Sequence, residues 1–258
     1  MHRFSIFIAA FAICSAAHAD SVDWSGGYVG AFAGAAWVDS DVSANLGGEW
    51  NGIVLPLNAI EKASLTPLLN RDISSSGALG GLDVGYNWQS GNFVYGAEAD
   101  ISILDGDGSR TAYNTPGVPT PLPYRVDASS KIDWLATFRG RLGWAFDRSL
   151  LYVTAGLAIG EHKFSQDIIH LNSFFQYTET AAFNKTSVGW VLGAGLEHAL
   201  SSNWSLKVQY LHVDLGSHSA DSVGTCTIPI FPACESYTGT HKADLTLETV
   251  TAGINYRF

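Results

Sequence analysis

The sequence predicts an all-β fold: an eight-stranded antiparallel up-and-down transmembrane β-barrel with short periplasmic turns and four long extracellular loops. Three observations carry that expectation. Apolar residues recur at every second position in eight segments, the period of a strand with one apolar and one polar face. The connections between those segments alternate between short and long, as in a barrel threaded through a membrane. The composition is rich in aromatics and glycine, with 8 Trp, 10 Tyr, 13 Phe and 27 Gly, while only 15% of residues are charged. A soluble two-sheet sandwich would turn polar strand faces to water and has no reason to sort its loops by length.

The chain opens on the basic pair His2 and Arg3, an apolar run from Phe4 to Cys14, and the small residues Ala17 and Ala19. This is the pattern of a secretory signal, so residues 1–19 are expected to be cut before Asp20, leaving 20–258 as one barrel domain. Removing 19 residues, Arg3 among them, leaves 239 residues with 13 bases against 24 acids, a net charge of −11. An exported chain that acidic has no electrostatic case for nucleic acid. Cleavage also removes Cys14. Cys226 and Cys234 then remain as a close pair in an oxidising compartment, where a loop disulfide is expected.

The strands follow in order. Strand one (24–38) carries Tyr28 and Phe32 on one face and small residues on the other. It is the longest uncharged run of the mature chain at 15 residues, short of the roughly 20 that a spanning helix needs. Strand two (77–89) sets Leu82, Val84, Tyr86 and Trp88 against Asp83, Asn87 and Gln89. Strand three (93–102) alternates Phe93, Tyr95, Ala97 and Ile101 with Glu98 and Asp100. Strand four (131–146) places Ile132, Trp134, Phe138, Leu142, Trp144 and Phe146 opposite Lys131, Asp133, Arg139 and Arg141. Soluble strands usually run to about 5 or 6 residues, and the aromatics near both ends of its apolar face match two interface girdles. Strands five (150–161), six (186–200) and seven (204–215) repeat the scheme, with Glu197 and Lys207 on polar faces. Strand eight (about 245–258) alternates Val250, Ile254, Tyr256 and Phe258 with Thr251, Asn255 and Arg257. Closing it on strand one leaves no unpaired edge in hydrocarbon. Its terminal aromatics, Tyr256 and Phe258, are expected to be the assembly signal read by barrel-assembly machinery.

Residues 90–92, 147–149 and 201–203 form tight polar turns, and 39–76, 103–130, 162–185 and 216–244 are expected as the long loops. The polar strand faces assign Asp83, Glu98, Asp100, Lys131, Asp133, Arg139, Arg141, Glu197, Lys207 and Arg257 to the lumen. An eight-stranded lumen is only wide enough for its own side chains, and an unpaired buried charge costs several kcal/mol. A salt-bridged plug is therefore expected, with a narrow ion path through the same network as the alternative.

Several stretches then carry a resemblance: WSGGYVG (24–30), FVYGAEADI (93–101), FRGRLGWAFDRSLLYVTAGLAIG (138–160), GWVLGAGLEHAL with NWSLKVQYLHVDLG (within 189–216), and AGINYRF (252–258). With them the chain resembles the small opacity-type, porin-family outer-membrane proteins of alphaproteobacteria. The resemblance covers every membrane strand but not the long loops. It implies residence in the cell outer membrane of a Gram-negative bacterium and roles in envelope integrity and surface contact. The partners it implies are outer-membrane lipids and lipopolysaccharide, and a host or environmental ligand at the loops. Some relatives bind haem and some are called porins.

No cofactor is required by this reading. The nearest haem candidate is loop three, where His170 stands with Phe174, Phe175 and Tyr177, an imidazole beside an apolar patch. No ligand spacing accompanies it, so His162, His170, His212, His218 and His241 read as loop or rim histidines in water. LDGDGSR (104–110) sets Asp105 and Asp107 two apart, but Pro116 stands where a calcium loop has its closing acid, so the stretch reads as a Gly-rich loop tip. A lipid-modifying enzyme would need Ser, His and an acid converging at the rim. The adjacent His218 and Ser219 are not such a triad, and a non-enzymatic barrel is expected.

Overall fold

The computed structural model describes residues 22–51, 57–114, 123–171, 177–226 and 237–258. The expected signal segment, Pro116, Phe174, Phe175 and Cys234 lie outside the described residues, as does the side chain of Cys226. Eight strands close in chain order into one antiparallel barrel. They are β1 (Gly26–Gly48), β2 (Ile73–Ser90), β3 (Phe93–Tyr113), β4 (Tyr124–Phe146), β5 (Ser149–His170), β6 (Tyr177–Ala199), β7 (Trp204–Cys226) and β8 (Tyr237–Arg257). A short 3-10 turn (Glu49–Asn51) and one helix, α1 (Leu57–Leu69), stand between β1 and β2. The ring is sealed by β1 against β8, in register from Tyr28↔Arg257 to Gly48↔Tyr237.

The outward face shows where the membrane lies. From the short-turn end upward it is exposed and apolar, as with Leu82, Phe138, Leu151, Val153 and Val208. Aromatics ring its lower edge: Trp88 stacks on Tyr95 at 5.6 Å, and Tyr256 packs against Trp204 at 5.0 Å and Phe258 at 5.5 Å. Trp37 and Trp190 mark its upper edge, both exposed. This is the apolar band with two aromatic girdles of a membrane barrel. On β1 the face that carries Tyr28 and Phe32 is the inner one: Tyr28 is buried in the lumen and Phe32 packs on its apolar filling, while Val29 faces out.

Above the band every strand continues, to between 18 and 23 residues in all. Much of what the periodicity left as loop is therefore wall, including 39–48, 105–113, 124–130, 162–170, 177–185 and 237–244. The reason is solvent. Above hydrocarbon the outward positions face water, so the two-residue period persists while its apolar partner moves to the inner face. LDGDGSR is likewise corrected, from a loop tip to an interior part of β3.

Lys131 and Asp133 are corrected too. The β4–β5 register shifts between Ile132 and Leu135, placing one extra residue in β4. A one-residue shift flips the side chains beyond it to the other face. Ile132 is thus buried inside, and Lys131 and Asp133 stand on the outer wall, Lys131 bridging Asp107 and Asp133 at 3.1 Å each with its side chain 43% exposed.

Inside, the barrel is filled in layers. At the short-turn end Trp24, Val94, Leu150 and Tyr152 pack together. Charged groups come next, described below. Above them lies an apolar plug that includes Ile132, Leu135, Val191, Leu211, Leu245 and Leu247. Ile73, Phe164, Phe183 and Ala243 follow, and the mouth is shut by Trp50, Leu65, Leu69, Tyr124, Ile168 and Tyr177.

Candidate functional site: a filled lumen with a capped mouth

The charge layer is built by strand register. Glu98 on β3 lies directly across from Arg139 on β4, so one acid and one base project inward side by side. Arg139 Nη2 donates to Glu98 Oε1 at 2.5 Å and to Asp100 at 2.6 Å. Lys207 donates to Asp83 at 2.8 Å and to Glu98 Oε2 at 3.3 Å. Arg141 donates to Glu197 at 3.0 Å and lies 3.6 Å from Glu98. Seven of the ten sequence-assigned lumen charges thus form one network around Glu98, which faces three cations. Arg257 is buried but separate: its guanidinium covers the Trp24 ring at 4.5 Å and donates to the backbone of Asp23 and Ser202. Lys131 and Asp133 stay outside, for the reason given above.

The neutral partners of this network could have been read from the same inward parity. Tyr28 Oη donates to Glu98 at 2.6 Å and accepts from Arg141 at 2.9 Å. Arg141 stacks over Tyr152 at 3.9 Å. Ser205 and Asn255 donate to Glu197 at 2.5 and 3.1 Å. Between the charges and the apolar plug, a cavity of about 10 Å³ is lined by Asp100, Ser102, Gln209, Leu211 and Thr249. That is room for about one water, not for a hydrated ion.

The capped mouth has its own polar network. Helix α1 sets Glu61, Leu65 and Leu69 four residues apart, so all three share one face. Leu65 and Leu69 are fully buried, while Tyr124 Oη donates to Glu61 at 3.0 Å. The helix is tied to the wall by Arg110 donating to Leu68 O at 3.1 Å, and by Gln166 donating to Leu69 O at 3.2 Å. Trp50 Nε1 donates to Glu179 at 3.0 Å, and Tyr177 and Ser222 donate to the same carboxylate at 2.5 Å each. His241 meets Ser222 at 3.0 Å and Gln166 at 2.6 Å, completing a path across the lumen.

The histidines are corrected by this arrangement. His162, His170 and His241 are buried inside the extended wall rather than in water. His162 lies 3.1 Å from Ser130, and His218 lies 2.7 Å from Ser187. The His170 ring packs 5.0 Å from Tyr124. His212 alone of these five stands on the outer wall, 2.6 Å from Glu248.

Burial pushes the Glu61 carboxyl above its ordinary range, partly offset by the Tyr124 hydroxyl and by His170. The folded state therefore holds this proton more tightly than the released helix does. The stability this contributes is complete below the ordinary carboxylate range and is lost as pH rises through the raised value. Proteolysis within α1 is expected to be slower near about pH 5 than near about pH 8, and Glu61→Gln should abolish the difference. A wild-type rate that does not change with pH would contradict this.

The family model for the outer membrane protein beta-barrel domain matches residues 6–258. The 31 kDa outer-membrane immunogenic protein of Brucella melitensis biotype 1 is 33% identical over 249 residues, covering 95% of this chain and 88% of that protein. The 22 kDa outer membrane protein of Rhizobium leguminosarum bv. viciae is 34% identical over 137 residues, covering 53% of this chain and 52% of that one. Among solved structures, the outer membrane protein OprG from Pseudomonas aeruginosa has a TM-score of 0.45 at 11% identity, covering 91% of this chain and 97% of that one.

Proposed function

Because the chain belongs to the outer membrane protein β-barrel domain family, and is thus a Gram-negative outer-membrane protein, we propose that it works through its walls rather than its lumen. The membrane band anchors and stiffens the envelope. The tall extracellular wall and its cap meet a host or environmental ligand. The observation that carries this reading is the interrupted lumen: an apolar plug separates the buried charges from the upper polar network. Carrying an ion past those leucines would strip its hydration with nothing to replace it. Outer-membrane lipids and lipopolysaccharide are the partners of the band. The last strand, with Tyr256 and Phe258, is the element offered to the barrel-assembly machinery.

The competing readings are weaker on specific grounds. A haem site at His170 and Tyr177 would have to displace the packing of His170 on Tyr124 and the bond from Tyr177 to Glu179. Ser222, His241 and Glu179 converge, but Glu179 accepts from Ser222 and Gln166 faces the far ring nitrogen. A nucleophile, base and orienting acid would be arranged in the opposite order, so a non-enzymatic barrel is proposed.

The deciding experiment is conductance of the refolded mature protein in a planar bilayer. Fully inserted protein is expected to give no steady openings. Steady openings would replace the wall reading with a porin one.

A further inference from the structure

Among the described residues, a polar group stands at the edge of the lipid-facing wall. Strand register sets Trp37 on β1, Glu248 on β8 and His212 on β7 in one row, at the upper edge of the apolar band. His212 Nδ1 lies 2.6 Å from Glu248 Oε1, with the two side chains 32% and 23% exposed. Tyr210, one step lower on the outer face, donates to the other carboxylate oxygen. The Trp190 ring sits 5.1 Å from His212. Below this row the same strands turn Val250, Ile254, Val208 and Val29 to the lipid. An outward acid costs little this close to the interface, so Glu248 can stand at the level of the lipid headgroups.

The surrounding charge selects the ligand. One row higher, Asp39 and Asp214 both flank Thr246. Beyond them Lys242 is already paired with Asp244 at 3.1 Å. Three carboxylates thus face outward around a single imidazole, a field that attracts a cation. Each Glu248 oxygen takes one internal bond, and a carboxylate oxygen can accept a second. The exposed indoles of Trp37 and Trp190 offer cation–π faces on either side.

We propose that the row Trp37–Glu248–His212, with Tyr210 and Trp190, binds the primary ammonium of an aminolipid headgroup in the outer leaflet. The ammonium donates to Glu248, and the two indoles bracket it at the boundary between headgroup and acyl chain. This rests on the proposed contact of the membrane band with outer-membrane lipid, and it adds a place and a headgroup chemistry to that contact.

The test is native mass spectrometry of the full mature protein, refolded in detergent and first shown to be folded by its protease-resistant barrel. The protein is titrated with phosphatidylethanolamine, phosphatidylcholine and phosphatidylglycerol. Phosphatidylethanolamine is expected to bind about fivefold more tightly than the other two, the scale of one charge-assisted bond with cation–π support. Glu248→Gln should bring it down to the phosphatidylcholine level, while Glu161→Gln on the opposite wall should change nothing. Chelation with EDTA should leave the preference intact. Equal binding of the three lipids by wild type would overturn the proposal even if the variants failed to fold. So would an unchanged preference in Glu248→Gln, or one lost to EDTA, which would mean a divalent ion bridging to phosphate. A chain that never reaches the protease-resistant state would count against the membrane reading itself, a result distinct from all of these.

Discussion

Replacing Glu98 with alanine is expected to destabilise the barrel by about 3–5 kcal/mol, the cost of breaking a buried ion network by removing one partner. Glu98 is the hub: Arg139, Arg141 and Lys207 all lie within ion-pair distance of it, and Tyr28 donates to it. Its side chain is 1% exposed, so water cannot enter to solvate the cations left behind. Removing it leaves Arg139, Arg141 and Lys207 against Asp83, Asp100 and Glu197, with the shared oxygens gone. Urea unfolding of the refolded protein measures the effect. Lys131→Ala is the control: its bridges lie on the exposed outer wall, where such pairs contribute about 0–1 kcal/mol. If both variants shifted the midpoint equally, the charge layer would not be what holds the lower lumen together. Glu98, Arg139 and Asp100 replaced together by uncharged residues of similar volume should lose less than Glu98→Ala alone, because the pairs Lys207–Asp83 and Arg141–Glu197 then remain and no charge is stranded.

The cap should respond as strongly to Trp50→Ala, by about 3–5 kcal/mol for a large buried aromatic truncated in place. Trp50 touches three other rings, with centroids 6.3 Å from Tyr124, 5.9 Å from Tyr177 and 5.0 Å from Tyr237. It also supplies one of the donors on Glu179, which is fully buried. Trp50→Phe keeps an aromatic ring but removes the Nε1 hydrogen, and should cost about 1–3 kcal/mol for an under-satisfied buried carboxylate. The loss should be local, because the apolar plug separates the cap from the charge layer. Protease should cut between β1 and β2 far faster in Trp50→Ala, while the membrane band keeps its unfolding midpoint. A midpoint that moved with the cutting rate would mean that cap and band unfold as one unit.

The eight strands were legible because lipid imposes a strict pattern: where hydrocarbon is outside, every second residue must be apolar. The same rule explains what was missed. Above the band that constraint ends, so Val42, Phe164, Ile168 and Ala243 point inward along stretches that resemble polar loops. Helix α1 was hidden for a related reason. LNAIEKASLTPLL carries Pro67 inside the helix, and its buried face includes an acid, Glu61. Lys131 and Asp133 were misplaced because a bulge has no signature in a two-residue pattern; the extra residue in β4 is visible only in its pairing with β5. The charge network was half legible. Parity identified which acids and bases point inward but could not say that Glu98, rather than Asp83 or Glu197, sits at the centre.

The seam between β1 and β8 governs how the molecule comes into being. Its lowest pair joins Tyr28 to Arg257, 229 positions apart along the chain. Bringing two points so distant together costs roughly 5 kcal/mol of loop-closure entropy if nothing between them is ordered. None of that is recovered until the two strands meet. While β2 to β7 zip by neighbouring hairpins, β1 must wait with one row of amide and carbonyl groups unpaired. That delay grows with sequence separation and makes such topologies slow and prone to faulty association. The rate at which the two ends find each other, more than any single contact inside, should set how fast this barrel matures.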